Sequence, residues 1–256
     1  MNVAAWALSA ALYAALGYVF FAVLPITTPG LGLVRFWPVV IIPAVFAVVF
    51  GPWVGGLGAA TGIFISDMLI HGNPLLSLMA GVSSNFVCFF LMGYIAKRNI
   101  GWKIPTVGFG VATALLVWIS YNLLPSLLVW LSPSTSSAEY VQYEYLVSGI
   151  LLGTYIVLLV AMWLTPKWRS YEVSSMVSLL VGSAIIGVMV SLFSQFFIMP
   201  GNTELTPLPV AGGLAYLIWT FSTEIPFLLI LGPPIIEAVY RAFPNFRTNE
   251  KTREQR

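Results

Sequence analysis

The sequence predicts an all-α membrane protein, a bundle of about eight transmembrane helices with both termini in the cytoplasm. Of the 256 residues, 59% are hydrophobic and only 8% are charged, and the mean hydropathy is +0.93. A soluble domain averages about 25% charged residues, so this chain could not cover a globule with a hydrated surface. The apolar residues also form long runs, and a membrane-spanning helix needs about 20 of them.

The apolar runs predict eight spans, separated by segments rich in proline, glycine or charge. The first span covers residues 4–24 and leads into the Pro/Gly-rich segment Pro25–Arg35. The second is short, and Gly51-Pro52 marks a tight turn after it. In order, the spans are expected at about 4–24, 36–50, 53–70, 74–96, 104–131, 146–164, 173–199 and in a last run that ends near Arg241.

The segments between the later spans have the composition of loops. His71-Gly72-Asn73-Pro74 combines residues that end helices with residues that form turns. Residues 97–103 are basic, residues 132–145 are polar, and residues 166–172 are charged. We therefore expect all four segments to lie outside the membrane.

The basic residues predict the orientation. If the N-terminus is cytoplasmic, ten of the eleven Lys and Arg residues fall in segments 97–103 and 165–172 or at the C-terminal end from Arg241 onwards, and only Arg35 falls outside. Cytoplasmic loops carry such an excess, which favours an even number of helices. We divide the chain into a transmembrane bundle (1–172), a further two-helix segment of the same domain (173–242) and a charged cytoplasmic tail (243–256).

Several classes of function are disfavoured by composition and motifs. With a single cysteine, Cys88, and a single histidine, His71, a structural zinc site of three or four such ligands is excluded. The tail mixes both charges and offers no coherent basic face for nucleic acid. The P-loop, the G-x-S-x-G elbow and the H-E-x-x-H motif are all absent. We expect a protein that is not an enzyme and needs no cofactor.

Two rows of small residues predict close helix contacts. Ala7, Ala11 and Ala15 recur every four residues, with Ala10 and Ala14 alongside. This spacing places methyl groups on one helix face, which can meet another helix of this chain or a partner protein. The third span carries a second row, for which packing inside the bundle is the better interpretation, at Gly51, Gly55, Gly58 and Gly62.

Ionisable residues at membrane depth are costly and therefore informative. Glu224 lies close to the middle of the eighth span, in Thr220–Pro226. It could contact a ligand or ion, or it could be a protonated side chain bonded to a neighbouring helix. Pro226 leaves a backbone carbonyl one turn earlier without its donor, and the nearby hydroxyls could satisfy it.

Further polar residues are expected towards the outer leaflet, where they would suit a pocket open to the outside. Asp67 lies late in the third span, one turn before His71, where it could cap the loop or pair with Arg35, or could contact a ligand. Asn85 lies in the fourth span, and Tyr121 and Asn122 lie in the fifth. Each alone could be a satisfied interhelical contact. Arg35 could bind an anionic ligand or face lipid headgroups.

The stretch from Arg35 to Asp67, RFWPVVIIPAVFAVVFGPWVGGLGAATGIFISD, resembles the substrate-binding S components of energy-coupling-factor (ECF) vitamin importers. The shared run is an arginine turn, a short apolar helix, a Gly-Pro turn, a glycine-rich helix and an acidic residue. The alanine row of the first span is similar to the motif by which an S component docks on its coupling subunit. The resemblance covers residues 7–96, thins out to about 165 and ends there, since the family has six helices.

The resemblance implies a substrate-capture subunit in a prokaryotic plasma membrane. It would bind a small vitamin-like micronutrient and depend on a transmembrane coupling subunit and ATPase subunits. It places Arg35, Asn85, Tyr121 and Asn122 suitably for substrate contacts, and the charge of Asp67 and Glu224 at membrane depth adds these two as candidates. It implies docking through Ala7, Ala11 and Ala15 or, in the other register, through Ala10 and Ala14. The alternative is an ion-coupled secondary transporter that uses Glu224 at the membrane midplane. A membrane-embedded enzyme or an assembly factor is the third possibility.

Overall fold

The computed structural model describes residues 2–28, 32–98, 101–131, 137–164 and 166–246, which form an all-α bundle. Seven of its helices are long and apolar enough to cross a membrane, which indicates a multi-pass membrane protein. The helices are α1 (Val3–Val23), α2 (Ile41–Phe50), α3 (Pro52–Ile70), α4 (Pro74–Ile95), α5 (Lys103–Leu131), α6 (Ser137–Leu164), α7 (Arg169–Phe196) and α8 (Val210–Ala242).

Helix α2 is the exception among the eight predicted spans. Together with the 3-10 turn Pro38–Val40 it forms a 13-residue apolar segment. At 1.5 Å per residue this segment is about 20 Å long, whereas the hydrocarbon core of a bilayer is about 30 Å thick. The short second span expected from the sequence is therefore a short helix, and the other seven are full-length.

Two predicted loops are partly helical. Helix α6 begins at Ser137, inside the segment expected to be a polar loop, and α7 begins at Arg169, inside the expected charged loop. Hydropathy identifies only the apolar part of a helix. The length of a helix that continues into polar sequence is therefore underestimated. Residues 247–256 of the expected tail lie outside the described residues.

The turns are formed by the residues that predicted them. Gly51 has a φ of +105°, and Pro52 begins α3. Only glycine adopts this conformation readily. The Asn73 side chain caps α4 by accepting the Leu76 N–H at 3.0 Å, with Pro74 in the first helical position. A π-helical stretch, Ser77–Val82, then interrupts α4.

A short β-hairpin joins α1 to α2. Strand β1 (Thr27–Thr28) pairs antiparallel with β2 (Gly32–Arg35), and Thr27 stands opposite Arg35. The Thr28 hydroxyl donates to the Val34 carbonyl at 3.0 Å. The sequence predicts only a turn segment here, because strands this short have no detectable alternation. The hairpin places Arg35 beside the end of α3.

The glycine row of α3 packs inside the bundle, as predicted. A β-carbon on Gly58 would lie 2.6 Å from the Ser9 hydroxyl, and one on Gly62 would lie 2.9 Å from the Tyr13 β-carbon. Gly55 lies equally close to Ala47 of α2. Without side chains at these positions, α1 and α2 approach α3 at backbone distance.

The two ends of the bundle differ in charge. The hairpin end carries the β-hairpin, the loop after α3 and the loop between α7 and α8. The opposite end carries the cations Lys97, Arg98, Lys103, Lys167, Arg169 and Arg241. Side-chain contacts connect different helices at this basic end. Lys167 pairs with Glu237 of α8 at 3.1 Å, and the Arg169 guanidinium lies 4.8 Å from the ring centre of Trp102, just before α5.

Candidate binding cavity

A cavity lies between α1, β2, α3, α4, α7 and α8, towards the hairpin end. It offers about 90 Å³ to the centres of water-sized spheres, where a single water needs roughly 10–15 Å³. Its polar lining is formed by Tyr13, Arg35, Asp67, His71, Asn85 and Glu224, and its apolar lining by Val34, Trp37, Ile63, Leu76, Ala80, Gly81, Ile186 and Val190. A cavity with an apolar wall and a few polar groups is typical of small-molecule sites.

Arg35 and Asp67 form a buried ion pair in the wall of this cavity. Their side chains are 10% and 4% exposed. Asp67 also accepts a hydrogen bond from the Ser77 hydroxyl at 2.7 Å, and the His71 Nε2 atom lies 3.5 Å from its Oδ1. The predicted pair with Arg35 is present, His71 of the following loop lies beside the same carboxylate, and Ser77 is a partner that the sequence did not indicate.

The Arg35 guanidinium is also held by aromatic rings. It lies 4.6 Å from the ring centre of Trp37 and 5.7 Å from that of Phe21. Ring faces attract cations at this range. Of the two alternatives for Arg35, contact with lipid headgroups does not fit the structure, because Asp67 and the two rings enclose the guanidinium.

A second polar chain crosses the cavity from the hairpin to α4. The Trp37 indole N–H donates to the Tyr13 hydroxyl at 2.9 Å, and that hydroxyl donates to Asn85 Oδ1 at 2.8 Å. The Asn85 amide in turn donates to the Gly81 carbonyl at 2.9 Å. Every polar group in this chain has a partner, so the chain fixes Tyr13 and Trp37 against the cavity.

Glu224 lies deeper, where the main cavity meets a smaller one of about 20 Å³. The residue is 6% exposed. The hydroxyls of Ser222 and Thr223 donate to the Trp219 carbonyl at 3.3 and 2.7 Å. The prediction that they satisfy the carbonyl left open by Pro226, which is that of Ser222, is therefore wrong, because both hydroxyls bond a carbonyl three residues further back in the same helix.

The structure brings together four of the six predicted substrate residues. Arg35, Asp67, Asn85 and Glu224 all line the main cavity. Tyr121 and Asn122 do not: Tyr121 is 65% exposed, and the Asn122 amide donates to the Trp118 carbonyl of its own helix at 2.8 Å. Helices α5 and α6 contribute no described residue to the cavity lining. Hydropathy does not show how a span is placed relative to its neighbours, so these two residues could not be separated from the pocket by sequence alone.

Three residues at the cavity have no counterpart in the sequence predictions. Tyr13 and Trp37 line the cavity, and Ser77 bonds Asp67 from behind the lining. Tyr13 interrupts the alanine-rich face of α1, and it is 1% exposed. One large polar residue in a row of small ones is the signal that could have identified it. The roles of Trp37 and Ser77 depend on contacts distant in sequence and leave no such signal.

The alanine row divides into two faces of α1. Ala10 and Ala14 are 4% and 5% exposed and pack towards the interior. Ala7, Ala11 and Ala15 are exposed. Of the two registers left open by the sequence, the row Ala7, Ala11 and Ala15 is thus the one exposed on the surface of the bundle.

Comparison with models of known protein families finds no match, and neither curated proteins nor solved structures match the chain.

Proposed function

We propose that this protein is the membrane-embedded substrate-capture subunit of an ECF-type importer for a small micronutrient. The observation that carries the proposal is the cavity at the hairpin end, which holds three buried ionisable side chains, Arg35, Asp67 and Glu224. Buried charges in a membrane protein are expensive and are kept where they act on a solute or ion. The basic end is proposed to be cytoplasmic, so the cavity would accept its solute from outside.

Energy would come from partner proteins. The sequence has no P-loop, so ATP hydrolysis would be supplied by separate ATPase subunits through a transmembrane coupling subunit. The exposed row Ala7, Ala11 and Ala15 is proposed as the docking face. Small residues allow a partner helix to approach closely, which is the main source of helix association inside a bilayer.

The packing also suggests how a six-helix S-component core would be arranged here. The cavity is lined from α1, the hairpin, α3, α4, α7 and α8. We propose that these elements, with α2, form the core and that α5 and α6 are the additional pair. The sequence interpretation assigns that role to residues 173–242 instead.

The proposal is tested by purifying the protein from its native membrane in mild detergent. Native mass spectrometry is expected to detect a co-purified small molecule, and proteomics of the same sample is expected to detect ATPase and coupling subunits. Uptake in proteoliposomes should then require ATP and those subunits. Uptake by the purified chain alone, driven by an ion gradient, would contradict the proposal.

That contrary result defines the second candidate function, an ion-coupled secondary transporter. It is favoured by one observation, the buried Glu224 carboxylate between the two cavities. An intramembrane carboxylate of this kind could carry a proton or bind a cation during transport. Substituting Glu224 with glutamine should abolish gradient-driven uptake under this alternative.

A further inference from the structure

Glu224 is the ionisable side chain of the cavity whose charge the protein leaves uncompensated. Among the described residues, no side chain donates a hydrogen bond to its carboxylate, and none forms an ion pair with it. Arg35 forms its ion pair with Asp67 and none with Glu224. The neighbouring hydroxyls on α8, those of Ser222 and Thr223, are bonded to backbone.

The other two charges of the cavity neutralise each other. Arg35 is paired with Asp67 and lies over the Trp37 ring, and Asp67 is further bonded to Ser77. Breaking that pair to bind an anion would leave Asp67 buried without its counter-ion, which is strongly unfavourable. Asp67 therefore has its counter-ion in Arg35, whereas Glu224 has no ion-pair partner among the described residues.

The surroundings of Glu224 suit a hydrogen-bonding ligand. The smaller cavity is lined in part by Ser183 and Thr220, whose hydroxyls are buried and have no hydrogen-bond partner among the described residues. Their side chains can rotate to accept from or donate to a polar group that arrives beside the carboxylate. Trp37 and Tyr13 line the main cavity, and the hydrogen bond between them holds both rings in place. They form an aromatic wall for the part of a ligand that lies in the main cavity.

We propose that the captured solute is a small organic cation of the protonated-amine class, and that Glu224 is its counter-ion. This inference rests on the proposed substrate-capture function and names its substrate class. An ammonium group next to Glu224 neutralises the buried carboxylate and donates up to three hydrogen bonds. Arg35 stays paired with Asp67 as part of the cavity wall.

The test uses three probes of similar shape and different charge: benzylammonium, benzyl alcohol and benzoate. Their binding to the purified full-length protein in nanodiscs is measured by isothermal titration calorimetry. The cation is expected to bind saturably and tighter than the other two. Glu224→Gln should weaken benzylammonium at least tenfold and leave benzyl alcohol unchanged, whereas Glu224→Asp keeps the charge and should keep the preference for the cation.

Glu237→Gln is the matched control. It makes the same chemical change in a glutamate that belongs to an ion pair at the basic end and does not line the cavity. It should bind all three probes as the unmodified protein does. Thermal unfolding of each variant establishes that it is folded. Equal binding of the neutral or anionic probe, no saturable binding of the cation, or unchanged cation binding in folded Glu224→Gln would each overturn the inference.

Failure of this inference can be told apart from failure of the proposed function. A neutral or anionic co-purified molecule, with ATP-dependent uptake intact, overturns the cation assignment alone. Uptake of a cation by the chain without ATPase subunits overturns the proposed function but keeps Glu224 as the counter-ion.

Discussion

Gly81 lies directly against Asp67. A β-carbon built on Gly81 would stand 2.6 Å from the Asp67 Oδ2 atom, the same oxygen that accepts the Ser77 hydroxyl. The π-helical stretch Ser77–Val82 brings both Ser77 and Gly81 to this carboxylate. Single π-helical turns occur often at functional sites. The geometry of the ion pair with Arg35 therefore depends on a residue without a side chain on the neighbouring helix.

Gly81→Ala is expected to destabilise the protein and distort the cavity. The added methyl group overlaps Asp67, and overpacking of this kind costs about 1–3 kcal/mol. Thermal unfolding in nanodiscs should show a lower midpoint, and binding of the co-purified solute should weaken. The matched control is Gly108→Ala in α5, where nothing lies within 4 Å of the added carbon. If Gly81→Ala is as stable as Gly108→Ala, the close contact with Asp67 is not a constraint.

The elements that depend on local sequence could be predicted, and those that depend on depth and packing could not. Gly51-Pro52 and Asn73-Pro74 mark their turns by backbone chemistry alone, and the glycine row of α3 indicates a close contact whatever helix it meets. The start of α6 at Ser137 could not be located, because polarity there masks a helix that the chain still forms.

The candidate site was predicted in the same uneven way. Asp67 and Glu224 are conspicuous because charge is rare in an apolar chain, and both line the cavity. Tyr121 has equally suitable chemistry but faces outward, since α5 packs at the edge of the bundle. Periodicity does not tell which face of a uniformly apolar helix is inside, so only tertiary packing separates Tyr13 from Tyr121.

Tyr13→Phe should destabilise the protein without changing its packing volume. Removing the hydroxyl leaves the Trp37 indole N–H and the Asn85 carbonyl oxygen without their partner. A buried polar group that loses its partner costs about 1–3 kcal/mol. The free energy of unfolding and the Trp fluorescence should both change. Tyr121→Phe makes the same chemical change at an exposed position and should alter stability by less than about 0.5 kcal/mol.

Asp67→Asn should cost more than the loss of a surface ion pair. It leaves the Arg35 guanidinium buried without its carboxylate, for which about 3–5 kcal/mol is typical. Lys167→Met breaks the pair with Glu237, in which Lys167 is 57% exposed, and should cost about 0–1 kcal/mol. Both destabilisations are measured as changes in the free energy of unfolding, with the variants in the same nanodiscs.

The double variant Arg35→Met with Asp67→Leu completes this comparison. It removes both charges, so it should be less destabilised than Asp67→Asn alone, although it should bind solute poorly. If the double variant is no more stable than the single one, Arg35 does not need Asp67 as its counter-ion.

Ala11→Leu should leave the isolated protein folded and block docking of the coupling subunit. Ala11 is exposed on α1, so the larger side chain meets no part of this chain, but it prevents a partner helix from approaching. Solute binding should persist while ATP-dependent uptake is lost. Ala10→Leu is the contrasting variant: Ala10 is buried beside Gly62, so it should lower the unfolding midpoint. Normal uptake by Ala11→Leu would exclude this face as the docking site.

The orientation of the bundle can be measured with single cysteines, since the native Cys88 is 3% exposed and should not react. Thr203 lies in the exposed loop at the hairpin end, and Asn245 is exposed at the basic end. A membrane-impermeant maleimide applied to intact cells is expected to label Thr203→Cys and to label Asn245→Cys only after permeabilisation. This pattern follows from the basic residues around Asn245, which favour retention on the cytoplasmic side.

The reverse pattern would place the cavity mouth inside the cell and exclude capture of an external solute. Labelling of both variants in intact cells would contradict a bundle whose two ends lie on opposite sides of the membrane.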